Sequence, residues 1–120
     1  IEDLIGKSVI VINGYTYGGL KTFVDDPKNK ITVMETSNYD SALSMLAAGR
    51  APYMLGYKEV TDEALAVGKI NRLKRFVIKI LPIHVHVSKN TPQAQILLNK
   101  LDRAFIELKA EGKMPYATAK

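Results

Sequence analysis

The sequence predicts an α/β domain with a mixed, mostly parallel sheet flanked by helices. Three observations carry this. Val9, Ile10, Val11 and Ile12 form an unbroken apolar run of strand length, the pattern of a strand covered on both faces. Strand-like segments then alternate with segments of helical period. The chain closes on a long helical stripe of Ala94, Leu97, Leu98, Leu101, Ala104, Phe105 and Leu108. At 120 residues the chain has the size of one domain or one lobe.

Local patterns place each element. A first strand over residues 8–12 runs into a loop holding Gly14, Thr16, Gly18 and Gly19. Glycines let backbone approach a ligand closely. A helix beginning at Thr16 or Tyr17 would turn unpaired N–H groups into the loop, which favours a carboxylate or phosphate. A short helix is expected over residues 19–24, ended by Asp25, Asp26 and Pro27. Residues 30–35 alternate as a second strand. Ser37 with Asp40 resembles a capping box, Tyr39, Ala42, Leu43 and Leu46 share a face, and Gly49 suits the position just past the helix. Residues 52–57 read as a third strand, and Thr61, Asp62 and Glu63 open a helix that closes near Gly68.

The segment 69–79 holds five basic residues and no acidic one. It is most simply a solvated face, or a contact for a partner, or for phosphate if the ligand is anionic. Within it Phe76, Ile78 and Ile80 keep a strand period. Ile83, Val85 and Val87 do the same against His84, His86 and Ser88. Thr91 is expected to cap the last helix and Pro92 to take its first position. That helix would run to Gly112, about 30 Å long at 1.5 Å per residue.

Composition narrows the function classes. An apolar fraction of 47% is that of a folded protein. The net charge of +5 and pI of 9.4 suit anionic partners. With 8% aromatic residues, no Trp and no arginine-rich aromatic motif, no nucleic-acid partner is expected. The chain has no Cys, which excludes disulfides and zinc–thiolate sites. No apolar run nears the roughly 18 residues of a membrane span. There is no nucleophile elbow and no prominent carboxylate pair, so the reading is a non-enzyme with no catalytic residue, no cofactor and no metal. His84 and His86 would share a strand face, without a third ligand nearby. Because the chain starts at Ile1, it is expected to have been cut or processed from something longer.

Several pieces, in order, resemble one family. Asp3 to Lys7, the strand and glycine–threonine loop that follow, Ser37 to Leu43, Leu46 to Arg50, His84 to Asn90, and Leu97 to Lys113 are together similar to the C-terminal half of type 2 periplasmic solute-binding proteins, which serve amino-acid ABC importers. The resemblance implies that residues 1–82 are most of a second lobe, and that residues 83–120 are a return segment packing on an absent first lobe. It implies a periplasmic or extracytoplasmic protein that captures a small polar or anionic solute and delivers it to an ABC permease.

The resemblance also implies a site. Asn13, Gly14, Tyr15 and Thr16 would form the ligand-carboxylate loop, with Thr16 giving its N–H and hydroxyl. Tyr57 stands where amino-acid binders carry the acid that holds the ligand's ammonium group. A phenol, with an ordinary pKa of about 10, cannot replace that carboxylate at neutral pH. An ordinary α-amino acid is therefore not the expected ligand; Tyr15, Tyr17 and Tyr57 would offer stacking and hydroxyl contacts instead. The terminal helix, lacking its family partner, is expected to fold back or to pair with a second copy as a homodimer. Two alternatives share the scaffold: the sensing domain of a signalling protein, and a periplasmic dehydratase-like enzyme.

Overall fold

The computed structural model describes residues 1–67, 73–82 and 84–114. They divide into two compact units, Ile1–Lys79 and Ile80–Lys120.

The first unit is an open α/β layer. Strand β1 (Ser8–Ile12) lies between β2 (Thr32–Thr36) and β3 (Tyr53–Met54), and all pairing is parallel. Val9 pairs with Val33 on one side and with Tyr53 on the other. The central position explains the apolar run, because both faces of β1 are covered. Val9 and Val11 join Leu4, Tyr17, Val24 and Leu55 on one face. Ile10 and Ile12 join Tyr39, Ala42 and Ala51 on the other. Val9, Ile10 and Val11 are completely buried.

Helices flank this sheet. Helix α1 (Leu20–Asp25) contributes Val24 to the first cluster. Helix α2 (Tyr39–Ala47) contributes Tyr39 and Ala42 to the second, and Ala64 of α3 (Lys58–Val67) packs against it. The capping of α2 differs by one residue from the expected pattern. Asn38, not Ser37, is the N-cap, and its side chain accepts from Ser41 N–H at 2.9 Å. An Asn carbonyl reaches the third N–H of the helix as well as a serine hydroxyl does, and here the backbone turns one residue later. At the other end Gly49, with φ of 68°, donates to Leu46 O while Arg50 donates to Met45 O. This pair of bonds is the Schellman arrangement that glycine favours.

Other expectations shift. The second strand is Thr32–Thr36 rather than residues 30–35, because Lys30 adopts a left-handed φ of 50° at the preceding turn. The third strand shrinks from residues 52–57 to Tyr53–Met54. Helix α3 starts at Lys58, three residues before Thr61; the Thr61 hydroxyl donates to Tyr57 O within the helical turn instead of capping. Gly68, expected to close α3, lies outside the described residues. Residues 73–80 form no strand, and Phe76 is 82% exposed. The basic run is partly tied down nonetheless. Arg75 pairs with Asp62, and Lys79 Nζ donates to Gly18 O at 2.6 Å. Lys69 and Arg72 lie outside the described residues.

The second unit is dominated by α4 (Ala94–Ala110). Its 17 residues make a rod of about 25 Å. Thr91 and Pro92 lie in a turn instead of the helix start, since Gln93 takes a left-handed φ of 55° and α4 begins after it. No residue of α4 is buried, and Ile96, Leu97, Leu101, Phe105, Ile106 and Leu108 are exposed. Described residues 84–88 form no strand; Ile83 lies outside the described residues.

Candidate functional site

The parallel strands end together on one side of the sheet, where ligands of open α/β folds bind. The loop after β1 holds four of the five expected site residues. Asn13 N–H extends the ladder by donating to Thr36 O at 2.8 Å, and Tyr15 N–H closes the turn on Ile12 O at 3.2 Å. Gly14 makes that turn with φ of 85°, a conformation that an L side chain would strain. Asn13, Gly14 and Thr16 are exposed, whereas Tyr15 is half-buried.

The expected helix start at Thr16 or Tyr17 is not formed. A 3₁₀ turn, Tyr17–Gly19, intervenes, and α1 starts only at Leu20. Gly18 and Gly19 both have positive φ, which breaks the helical path between Thr16 and α1. The carbonyl of Thr16 accepts from Gly19 and Lys21 N–H, at 3.0 and 3.1 Å. The Thr16 N–H and hydroxyl have no protein partner among the described residues. The loop therefore presents individual donors and no helix terminus.

Tyr57, the fifth expected residue, comes to the same place. Its ring centroid lies 5.3 Å from that of Tyr15, edge to face, and 5.6 Å from that of Tyr17. Tyr15 also meets Tyr17 edge to face at 5.9 Å and Tyr39 at 6.1 Å. Such pairs are favoured by the ring quadrupole, by about 0.5–1.5 kcal/mol beyond their burial. Four of the chain's six tyrosines thus form one cluster at the carboxyl end of the sheet.

The four divide into two roles. Tyr17 and Tyr39 are buried and structural. Tyr17 Oη accepts from Ile12 N–H at 2.7 Å, and Tyr39 Oη accepts from Tyr57 N–H at 2.8 Å. Burial pushes the Tyr17 hydroxyl up to about 12 against the pull of the Ile12 hydrogen bond, and burial raises Tyr39 as well. Tyr17 is thus removed from the expected set of ligand-contacting rings, because its hydroxyl is committed to β1. Tyr15 and Tyr57 are half-buried, and their hydroxyls have no hydrogen-bond partner among the described residues.

Two residues near this end were missed in the sequence. Tyr39 reads there as a core position on a helix face, and nothing local shows that its hydroxyl holds Tyr57. Lys79 reads as one of a run of solvated cations, yet its ammonium sits on the Gly18 carbonyl beside the loop. The two shallow depressions that stand out lie elsewhere, one bounded by Asp40, Met45 and Arg50 and the other by Ile96, Lys100 and Arg103. The His84 and His86 rings are 6.4 Å apart and exposed. Among the described residues no three His, Cys, Asp or Glu gather as a metal site, and no helix is long and apolar enough to cross a membrane.

The assembled site brings together hydrogen-bonding groups and aromatic surface. It has two open phenols, a threonine N–H and hydroxyl, an asparagine amide, and an exposed face of edge-packed rings. Compared with protein-family models, with curated proteins and with solved structures, the chain has no match.

Proposed function

We propose that the chain is the second lobe of a type 2 solute-binding protein, which captures a small polar solute against a partner lobe and hands it to an ABC permease in the extracytoplasmic space. The single observation that carries this reading is the convergence of Asn13, Gly14, Tyr15, Thr16 and Tyr57 at the carboxyl end of a parallel sheet, around hydroxyls and a loop N–H that have no partner among the described residues. The order of family-like pieces along the chain supports it. So does the shape of the site: an exposed wall suits one side of a cleft whose other side a second lobe supplies. Residues 83–120 are, in this reading, the segment that returns to that lobe. Closure would exclude water and strengthen polar contacts.

Amide NMR titration of the chain with a panel of amino acids, sugars and carboxylates tests the reading. One solute class should cause weak, fast-exchanging shifts confined to residues 13–16 and 57. Tight one-to-one binding to the lone chain, or shifts confined to another surface, would overturn it.

A further inference from the structure

We infer that this site takes a flat solute bearing a carboxylate or equivalent anion and no ammonium group, with Lys79 as its counter-ion; the inference rests on the solute-binding reading above. The loops leaving the three strands, residues 13–16, 37–38 and 55–57, contain no acidic side chain. The acids that flank them are already committed or inside helices: Asp40 and Glu59 lie in α2 and α3, while Asp25, at the end of α1, and Glu35, next to last in β2, both pair with Lys21. An ammonium group desolvated there would find phenols, a threonine and an amide, and no carboxylate that is not already paired with Lys21. Leaving a charge without its counter-charge on desolvation is costly, so such ligands are disfavoured.

An anion fares differently. Among the described residues the Thr16 N–H and hydroxyl and the Tyr15 and Tyr57 hydroxyls have no hydrogen-bond partner. Lys79 supplies a full positive charge, held at the carbonyl of Gly18, the residue after Tyr17, whose ring adjoins both Tyr15 and Tyr57. A neutral carbonyl is a weaker partner for an ammonium than a carboxylate is, so a bound anion can recruit it. The half-buried rings of Tyr15 and Tyr57 supply the apolar face against which a planar solute packs.

Three probes that share a phenyl ring separate the charges: hydrocinnamate, phenylalanine (the same skeleton with an α-ammonium) and phenethylamine (the ammonium without the carboxylate). In amide NMR titrations hydrocinnamate is expected to shift Gly14, Tyr15, Thr16 and Tyr57. Phenylalanine should do so about tenfold more weakly, phenethylamine not at all. Lys79→Gln should weaken hydrocinnamate about tenfold, the scale of one charge-assisted contact. Tyr57→Phe keeps the backbone bond to Tyr39, so it should fold, and should weaken binding by a smaller factor. Phenylalanine or phenethylamine binding as well as hydrocinnamate would overturn the solute class, as would Lys79→Gln without effect. If only a sugar or another non-aromatic solute moves these amides, the inference falls and the solute-binding reading stands. If nothing moves them, both fall.

Discussion

The Tyr17 hydroxyl accepts a 2.7 Å hydrogen bond from the backbone N–H of Ile12, the last residue of the central strand. Both groups are buried. The chain leaves β1, makes the glycine loop, and returns one side chain to close the strand that the loop came from. Tyr17→Phe keeps the ring and orphans the Ile12 N–H. An unsatisfied buried donor costs about 1–3 kcal/mol, and urea unfolding should read a loss of that size. A change within error would mean that the N–H finds water, and that the loop is not fixed by this bond.

The same tyrosine makes stability sensitive to alkali. Its hydroxyl has an ordinary pKa of 10.0 and is pushed up to about 12 in the folded chain, chiefly by burial. Below pH 10 the group is protonated in both states and costs nothing. Between pH 10 and about 12 the unfolded chain releases the proton while the folded chain keeps it. Unfolding is then favoured, and stability falls as pH rises through that window. Tyr39 shifts in the same direction and adds to the fall. Unfolding midpoints measured across this range should drop more steeply in the native chain than in Tyr17→Phe; equal slopes would refute the assignment.

Gly56 sits where the chain turns from β3 into α3. A Cβ there would stand 2.7 Å from Thr61 Oγ1 and 3.3 Å from the Tyr39 ring. Thr61 cannot move freely, because its hydroxyl donates to Tyr57 O at 2.7 Å. Gly56→Ala should therefore destabilise by about 1–3 kcal/mol, the range for overpacking. Adding Thr61→Ala removes the clashing oxygen and should recover part of that loss. Strict additivity of the two changes in chemical unfolding would show that the clash is not the cause.

What the sequence disclosed follows from how local each signal is. The Val9–Ile12 run announced a doubly covered strand, since only the central position of a layered sheet buries both faces. The Gly49 stop was legible because a left-handed residue after a helix favours glycine whatever surrounds it. The alternations at residues 76–80 and 84–88 misled for the opposite reason. Alternation says which side chains would share a face, but a strand also needs a neighbour to pair its backbone. No such pairing occurs among the described residues there. The candidate site was half legible. Glycine and tyrosine positions marked the loops, whereas the split into structural and open hydroxyls depends on contacts such as Tyr39 to Tyr57, 18 residues apart.

The caps of α2 can be weighed against each other. Asn38→Ala removes the side-chain acceptor of Ser41 N–H and should cost about 1 kcal/mol. Gly49→Ala leaves the hydrogen bonds in place and forces a Cβ into φ of 68°, with no neighbour within 4 Å. Its cost, also about 1 kcal/mol, is therefore purely conformational. Ser37→Ala should be neutral, since Ser37 does not cap α2. Thermal unfolding of the three variants separates these origins, and a Ser37→Ala loss as large as that of Asn38→Ala would put the cap back at Ser37.

Helix α4 should be the least protected regular element. It contains no buried residue, and a lone helix of its length is marginal in water. Its apolar stripe is incompletely covered, with Leu101, Phe105 and Leu108 all exposed, so it contributes less to stability than a buried stripe would. The amides of Val9, Ile10 and Val11, by contrast, open only with the sheet. Native-state hydrogen exchange on dilute protein should show α4 amides exchanging orders of magnitude faster than those of β1. Comparable protection of the two would mean that something covers the stripe. Repeating the measurement over a concentration series then identifies it, because protection conferred by a second copy weakens on dilution and protection from within the chain does not.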